Sequence, residues 1–462
     1  MNNIHFLDWA IMSLYLFSLI YIGIIRQKDK NLSQTDFILS GRRLSLTGFI
    51  ATLVTTWYGA ILGIGENTFL YGVQTWFIFS LPYYIFALMY AIWLAPRISE
   101  HGFLSIPDHF RTYFGEKVGI ISAILITFLS SPAPYILSMG ILLQFLFGIN
   151  LGLALLISTI FSIIYIWNGG FSAVVRTDLL QFIIMFFGFF LLLGYSWQRI
   201  GDPFTILQTL PEKFLDPLGG NTLQYIMVWF FIAAWTFIDP GFFQRCAAAN
   251  SKKTAKKGIL IAIGFWAVFD CLTILCGLYA ISHLQNGQAL LTYPLLAMNI
   301  LPVGMFGLFI IGILATLMST IDSLSLISAI TFGRDILWRI TKPSKDSDPI
   351  PFIRRGLVII SVISLFLAFL IPSVVQLFYT LGSTLIPGLI LPFLWTMNSK
   401  KTLNDEYFSI GWVLIPIMVS VVWFLLSRLK GSTFLGIEPF YPGMVISSLY
   451  LISLKIRDKH GY

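Results

Sequence analysis

The chain has 462 residues, of which 57% are hydrophobic and only 11% are charged, and its formal net charge is +8. Soluble domains carry about 25% charged residues, and no hydrophilic block here is large enough for a separate soluble domain. Apolar runs of about 20 residues, the length that crosses a bilayer as a helix, recur throughout the chain. The composition predicts one transmembrane domain over residues 1–462 and argues against a soluble enzyme.

Thirteen apolar segments are predicted to span the membrane, which predicts an all-α integral membrane fold. The first segment lacks the basic leader and the small-residue cleavage site of a signal peptide, so it is interpreted as a retained span. The predicted spans are 5–25, 45–71, 75–95, 118–147, 151–167, 173–198, 222–240, 258–282, 303–336, 356–372, 375–396, 408–427 and 440–456.

The basic residues predict the orientation of these spans. With the N-terminus outside, the inner segments are 26–44, 96–117, 168–176, 241–257, 334–355, 397–407 and the C-terminal tail. All but four of the 29 Lys and Arg residues then lie inside, the exceptions being Arg199, Lys213, Arg428 and Lys430. The positive-inside rule therefore predicts an N-out, C-in protein of the inner or plasma membrane. Its lysines at 252, 253, 256 and 257 would face anionic lipid, so the net charge needs no nucleic-acid partner.

Spans 2 and 7 both contain features that interrupt a helix. Span 2 carries three glycines and an acid between Thr55 and Asn67, and span 7 ends in Asp239-Pro240-Gly241. Interrupted helices at matching positions of two halves mark the central site of many transporters. The pattern predicts two inverted five-helix repeats, 45–198 and 222–396, with an extra span at 5–25 and two more in 408–456. The alternative is that these glycines serve close helix packing.

Span 9 carries four hydroxyl side chains in an otherwise apolar helix. They belong to Thr316, Ser319, Thr320 and Ser323, and an acid, Asp322, lies between the last two. The hydroxyl residues are three or four positions apart and therefore share one face of the helix. Hard, neutral oxygens gathered at low dielectric suit a weakly held cation such as Na+. Alternatively, the hydroxyls bond back to their own helix.

Four local patterns resemble the sodium:solute symporter family, and the resemblance extends from about residue 5 to residue 400. The patterns are Asp36–Arg42, Ile106–Gly115, Gly169–Gln181 and Pro240–Ala249. Members of this family carry sugars, proline, sialic acid, pantothenate or iodide. The resemblance implies a leucine-transporter-like inverted-repeat fold that works by alternating access.

The resemblance also implies particular sodium ligands between span 2 and span 9. They are the backbone carbonyls of Leu53, Thr56 and Thr316 and the hydroxyls of Ser319 and Thr320. Asp178 matches a family aspartate implied in sodium passage or release, although an interaction with Arg176 or with a helix N-terminus is an alternative. Asp322 and Ser323 are candidates for a second ion site. The alternative is that Asp322 simply bonds the neighbouring hydroxyls of Ser319 and Ser323.

Solute contacts are expected from the turns around the two breaks, and no Arg or Lys is among them. The predicted contacts are Thr55, Trp57, Tyr58, Ala60, Glu66, Trp235 and Asp239. Glu66, where the family more often has glycine, is open to three interpretations: solute recognition, a protonatable group, or part of an outer gate. Ala60 replaces a glutamine of the sugar-carrying branch, which disfavours sugar. Asp270 lies mid-span with no basic partner evident in the sequence.

These observations predict a sodium-coupled symporter of a small organic solute, with Na+ as the coupled ion. One alternative is a proton-coupled symporter that uses Glu66 or Asp322, and another is a membrane receptor that senses a solute. The five histidines and three cysteines form no metal-ligand spacing, which argues against a membrane metalloenzyme. We predict no enzymatic activity.

Overall fold

A computed structural model describes residues 4–25, 33–284, 288–341, 347–371, 373–399, 402–403 and 405–460. Within these residues the ordered elements are helices, and an isolated β-bridge joins Leu44 to Ala249. The predicted all-α membrane fold is therefore confirmed.

Helices α1–α10 form the first part of the chain. They are α1 Phe6–Ile20, α2 Gln34–Leu39, α3 Leu46–Trp57, α4 Ile61–Tyr71, α5 Gln74–Phe79, α6 Leu81–His101, α7 Ile106–Phe114, α8 Glu116–Leu129, α9 Ala133–Phe147 and α10 Leu151–Ile200. A π-helical turn, Tyr21–Ile25, extends α1.

Helices α11–α21 form the second part. They are α11 Pro203–Thr209, α12 Leu223–Ile232, α13 Pro240–Ala248, α14 Lys252–His283, α15 Thr292–Ile300, α16 Met305–Ile330, α17 Arg339–Thr341, α18 Ile350–Leu370, α19 Val374–Asn398, α20 Glu406–Lys430 and α21 Phe440–His460. A π-helical segment, Thr331–Trp338, continues α16.

Eleven helical segments among the described residues are long and apolar enough to cross a membrane. Predicted spans 5 and 6 both lie in α10, which consists of two helices that meet at a kink at Gly170 (φ 53°, ψ −152°). The predicted inner connection 168–176 is therefore a bend and not a loop. A Cβ at Gly170 would lie 2.5 Å from the Phe37 carbonyl oxygen, so the bend depends on glycine. The total of thirteen spans stays a prediction.

Span 2 is broken, as its glycines predict. Helix α3 ends at Trp57, a 3-10 turn covers Tyr58–Ala60, and α4 begins at Ile61. A Cβ at Gly59 would lie 2.4 Å from Tyr135 Cδ1 and 2.5 Å from Thr320 Cβ. Glycine at this position therefore allows α9 and α16 to approach the break.

Span 7 is broken as well. Helix α12 ends at Ile232, a 3-10 segment covers Ala233–Ile238, and Asp239 is extended (φ −68°, ψ 118°) before α13 begins. Pro240 occupies the first position of α13, where its missing N–H costs nothing. The Phe242 N–H donates to Asp239 Oδ1 at 2.8 Å, which caps the new helix. The boundaries of the two predicted repeats stay predictions.

The predicted inner segments lie at one end of the bundle. The Leu44 N–H donates to the Ala248 carbonyl at 3.0 Å, which joins the first inner segment to the fourth. Arg334 Nη2 lies 2.8 Å from Asp108 Oδ2, which joins the fifth to the second. These contacts place the predicted inner segments on one side of the bundle. The assignment of that side to the cytoplasm still rests on the distribution of charge.

Helix α16 is the most enclosed of the long helices and carries the predicted hydroxyl face. It packs against α10, α3, α1 and α18. The side chains of its polar stretch are at most 1% exposed: Thr316, Ser319, Thr320, Asp322 and Ser323. This packing holds the hydroxyls against the broken end of α3.

Candidate functional site

Oxygens of α3 and α16 converge where α3 ends. The Thr320 hydroxyl lies 2.9 Å from the Thr56 carbonyl oxygen and 3.1 Å from the Thr316 carbonyl oxygen. The Thr55 carbonyl oxygen lies 3.5 Å away. The Thr320 hydroxyl thus contacts two other predicted sodium ligands, and Leu53 lies buried one turn earlier on α3. The donor set fits a hard cation because it consists of neutral oxygens on a broken helix.

The fifth predicted ligand connects this group to an acid. The Ser319 hydroxyl lies 2.6 Å from Asp178 Oδ1 and 2.8 Å from Thr55 Oγ1. Asp178 is fully buried and lies in α10 after the bend at Gly170. A carboxylate therefore stands directly behind the hydroxyl face, where it can attract a cation.

The two residues predicted for a second ion site, Asp322 and Ser323, have different neighbours. Asp322 is fully buried and lies close enough to Tyr15 of α1 to interact with it electrostatically, as does Asp178. Ser323 instead contacts the Thr56 hydroxyl at 2.9 Å and accepts from Arg245 Nη2 at 3.0 Å. The Ser323 oxygen therefore faces a guanidinium, which disfavours a cation at the same oxygen.

Arg245 is a residue of this region that the sequence analysis did not single out. It is fully buried, and its Nη2 also donates to the Thr52 hydroxyl at 2.8 Å and the Thr56 hydroxyl at 2.7 Å. Its Nη1 donates to the Gly241 carbonyl at 3.2 Å. An arginine therefore does lie beside the cavity, although its hydrogen bonds are to the protein itself. The available signal was its position on the short helix that directly follows the second break.

A cavity lies between the two breaks. It encloses about 120 Å³, comparable to the roughly 150 Å³ apolar cavity that binds benzene in an engineered protein. Its wall is largely aromatic, with a few polar groups near one another. The aromatic lining comprises Trp57, Phe79, Tyr83, Tyr135, Trp229, Trp235, Phe242 and Phe378, and the polar lining comprises Thr56, Thr236, Asp239 and Arg245.

Four of the seven predicted solute contacts line this cavity, namely Trp57, Ala60, Trp235 and Asp239. The other three do not line it. Thr55 faces Ser319 and the other predicted sodium ligands, and the Tyr58 hydroxyl turns towards α14. Glu66 lies further along α4, away from the cavity. Helical periodicity is lost at the break, so adjacent residues there face unrelated neighbours.

The polar end of the cavity combines an acid with two tyrosines. Asp239 is partly exposed to the cavity although one of its oxygens caps α13. Tyr83 and Tyr135 lie close enough to Asp239 to interact with it electrostatically. Trp57 packs edge-on against Tyr83, with 4.7 Å between the ring centroids. The cavity thus offers aromatic faces, phenolic hydroxyls and one carboxyl group to a solute.

Comparison with known proteins identifies the family that this chain matches. The model of the sodium:solute symporter family matches residues 37–413. The osmoregulated proline transporter OpuE of Bacillus subtilis is 23% identical over 476 residues, covering 97% of this chain and 94% of the relative. The sodium/pantothenate symporter of Haemophilus influenzae is 24% identical over 449 residues, covering 88% of this chain and 90% of the relative.

Solved structures agree on the fold. The outward-open, substrate-bound structure of a Na+-coupled sialic acid symporter matches with a TM-score of 0.79 over 98% of both chains, at 16% identity. The long apolar helices and the family match together define a multi-pass membrane transporter. The chain belongs to the sodium:solute symporter family, and its coupled ion is Na+.

Proposed function

We propose that this protein carries a small organic solute into the cell together with sodium, and that the sodium binds between the end of α3 and α16. The observation that supports this most is the convergence on the Thr320 hydroxyl of the Thr56 carbonyl at 2.9 Å and the Thr316 carbonyl at 3.1 Å. The proposed ligands are these three oxygens, the Ser319 hydroxyl and the Leu53 carbonyl.

The chemistry of these ligands suits reversible binding. All five are neutral oxygens, so they hold sodium without the strong attraction of a direct carboxylate ligand. Asp178 accepts a hydrogen bond from Ser319 at 2.6 Å. It therefore supplies negative charge next to a proposed ligand without being a ligand itself. We assign it to the path by which the ion leaves, and Asp322, buried near Tyr15, to the electrostatic balance of the same region.

The solute is proposed to occupy the aromatic cavity. A cavity of about 120 Å³ with eight aromatic side chains in its wall suits an apolar or ring-shaped body. Asp239 offers a carboxyl group at one end, which suits a hydrogen-bond donor or a positively charged nitrogen on the solute. The Arg245 guanidinium is occupied by acceptors of the protein itself.

The two sites share one backbone segment, which explains their coupling. Thr56 contributes its carbonyl to the sodium ligands, and the next residue, Trp57, lines the cavity. Sodium that holds the Thr56 carbonyl therefore also fixes the position of the Trp57 ring. Linkage requires that solute binding raises sodium affinity by the same factor.

A thermal-shift titration of the purified protein tests the sodium site. Sodium chloride is compared with potassium chloride at equal ionic strength, in wild type, Ser319→Ala and Thr320→Ala. We expect stabilisation by sodium alone, and weaker stabilisation in both variants because each loses a ligand. Equal stabilisation by the two salts, or an undiminished response in both variants, would refute the proposed ligands.

A solute panel in the presence of sodium tests the cavity. It contains ring-bearing amines, ring-bearing carboxylates and uncharged analogues of matched size. We expect the amines to stabilise most, and Asp239→Asn to lose that preference, whereas Glu212→Gln, an exposed acid outside the cavity, retains it. A preference that survives in Asp239→Asn contradicts the assignment of this carboxyl group.

A further inference from the structure

Asp270 is a buried acid that the sodium and solute sites do not use. It lies within α14, is 3% exposed, and does not line the cavity. Its Oδ1 lies 3.0 Å from the hydroxyl of Tyr58, and its Oδ2 contacts the hydroxyl of Tyr84 in α6. Tyr58 is itself fully buried and begins the 3-10 turn that breaks span 2.

The protons available to this cluster do not satisfy its contacts. The Tyr58 oxygen lies 3.0 Å from the Trp266 carbonyl oxygen as well as 3.0 Å from Asp270 Oδ1. A phenol has one proton and donates one such hydrogen bond. When Tyr58 donates to the Trp266 carbonyl, its lone pair faces Asp270, and the contact is favourable only if Asp270 carries a proton. One added proton on the carboxyl group therefore completes the network.

Among the described residues, the surroundings of Asp270 offer hydroxyls and form no ion pair with it. The titratable groups that face it are Tyr58 from the break, Tyr84 from α6 and Tyr293 from α15, and the Ser80 hydroxyl is also within reach. No Arg, Lys or His forms an ion pair with it among the residues that the structure describes. A carboxylate without a cation is costly at membrane depth, whereas a neutral acid is not.

We propose that Asp270, together with Tyr58 and Tyr84, forms a proton-binding site whose occupancy is coupled to sodium binding. The proton is taken up by the carboxylate oxygen that faces Tyr58, which frees the Tyr58 hydroxyl to donate to the Trp266 carbonyl. That bond anchors the break to α14. Thr56, whose carbonyl is a proposed sodium ligand, lies two residues before Tyr58, so the coupling half of this proposal rests on the proposed sodium site.

Infrared difference spectroscopy tests the proton site independently of sodium. Purified wild type is titrated between about pH 5 and pH 9, a range that brackets the midpoints open to a perturbed carboxyl group. We expect the C=O stretch of a protonated carboxyl group to appear on acidification, and to be absent from Asp270→Asn. The same band in wild type and in Asp270→Asn overturns the proposal, as does the absence of any such band from wild type.

Sodium titrations over the same pH range test the coupling. In wild type the half-saturating sodium concentration is expected to rise with pH by about fivefold or more, the lower end of usual couplings. Asp270→Asn, a mimic of the neutral acid, is expected to keep the low value at every pH. Tyr58→Phe keeps the acid but removes the link, so its half-saturating concentration is expected not to vary with pH.

The outcomes separate this proposal from its rivals. If the pH dependence of the half-saturating sodium concentration survives in Asp270→Asn but disappears in Glu66→Gln, the proton belongs to Glu66 and the proposal is overturned. Loss of sodium binding at every pH in Asp270→Asn, with Tyr58→Phe still pH-dependent, also overturns it because a charged carboxylate is then required. If wild type does not bind sodium at all, the proposed sodium site fails, while the infrared result still decides the proton site.

Discussion

Replacing Thr320 with Val removes one hydroxyl from the proposed sodium site and nearly preserves the shape of the side chain. The methyl group of Thr320 packs against Gly59, and Val keeps that contact. The hydroxyl contacts the Thr56 and Thr316 carbonyls, and Val makes neither hydrogen bond. We expect weaker sodium binding with little loss of stability.

The magnitude follows from comparing the two states of the site. With sodium bound, losing a ligand to a charged group costs about 1.5–3 kcal/mol. Without sodium, the same substitution costs about 0.5–1.5 kcal/mol, because the hydroxyl also bonds to the carbonyls. Only the difference, about 1–1.5 kcal/mol, appears in the affinity. It corresponds to a roughly 5- to 12-fold rise in the half-saturating sodium concentration.

Sodium titrations by thermal shift measure this effect, and two further variants control it. Thr316→Val removes a hydroxyl that donates to the Ile313 carbonyl, while the proposed ligand is its backbone oxygen; a change of less than about twofold is expected. Thr331→Val removes a buried hydroxyl bonded to the Ile327 carbonyl, well beyond the site. A larger effect from either control than from Thr320→Val would refute the ligand assignment.

Three further predictions concern packing, pH and charge. Gly59→Ala is expected to cost about 1–3 kcal/mol of stability and to weaken sodium binding, since the new Cβ would meet Tyr135 and Thr320 within 2.5 Å; melting and sodium titrations measure both. Burial lowers the pKa of His109 to about 3. Below about pH 6.5 the unfolded state therefore binds more protons than the folded state, and the free energy of unfolding decreases as the pH is lowered. At about pH 5 this cost is about 2 kcal/mol, and His109→Gln is expected to remove it in denaturation at about pH 5 and pH 8. Asp108→Asn removes the 2.8 Å partner of Arg334, which keeps its contact with Asp335, and is expected to cost about 1.5–3 kcal/mol in denaturant unfolding.

A specific outcome would contradict each of these three predictions. Normal sodium affinity in a stable Gly59→Ala protein would mean that α16 does not need this close approach. An unchanged difference between the two pH values in His109→Gln would assign the acid sensitivity to other groups. A loss below about 1 kcal/mol in Asp108→Asn would mean that this ion pair behaves as a solvated surface pair.

Several features were determined by local sequence. The hydroxyls of α16 share a face because their spacing matches the helical repeat, and this face is buried as predicted. The break in span 7 follows from Pro240, which cannot continue a helix but can begin one. Apolar length alone predicted helical spans. These properties depend on neighbours within a few residues, so the sequence is sufficient for them.

Other features were decided by the tertiary structure. Thr55, Thr56, Trp57 and Tyr58 are consecutive, yet they contact Ser319, Arg245, the cavity and Asp270, respectively. The helical repeat of α3 ends at Trp57 and gives no direction for Tyr58. For the three residues before it, the repeat gives relative directions but not the distant helix that each one meets.

The same limit applies to charge. Asp270 lies 212 residues from its partner Tyr58, and Arg245 lies 189 residues from Thr56. The sequence determines that a membrane helix carries an acid or a guanidinium, but not what compensates it. Compensation depends on which distant helices pack together, and at low dielectric that choice determines whether a group is an ion ligand, a proton site or a structural anchor.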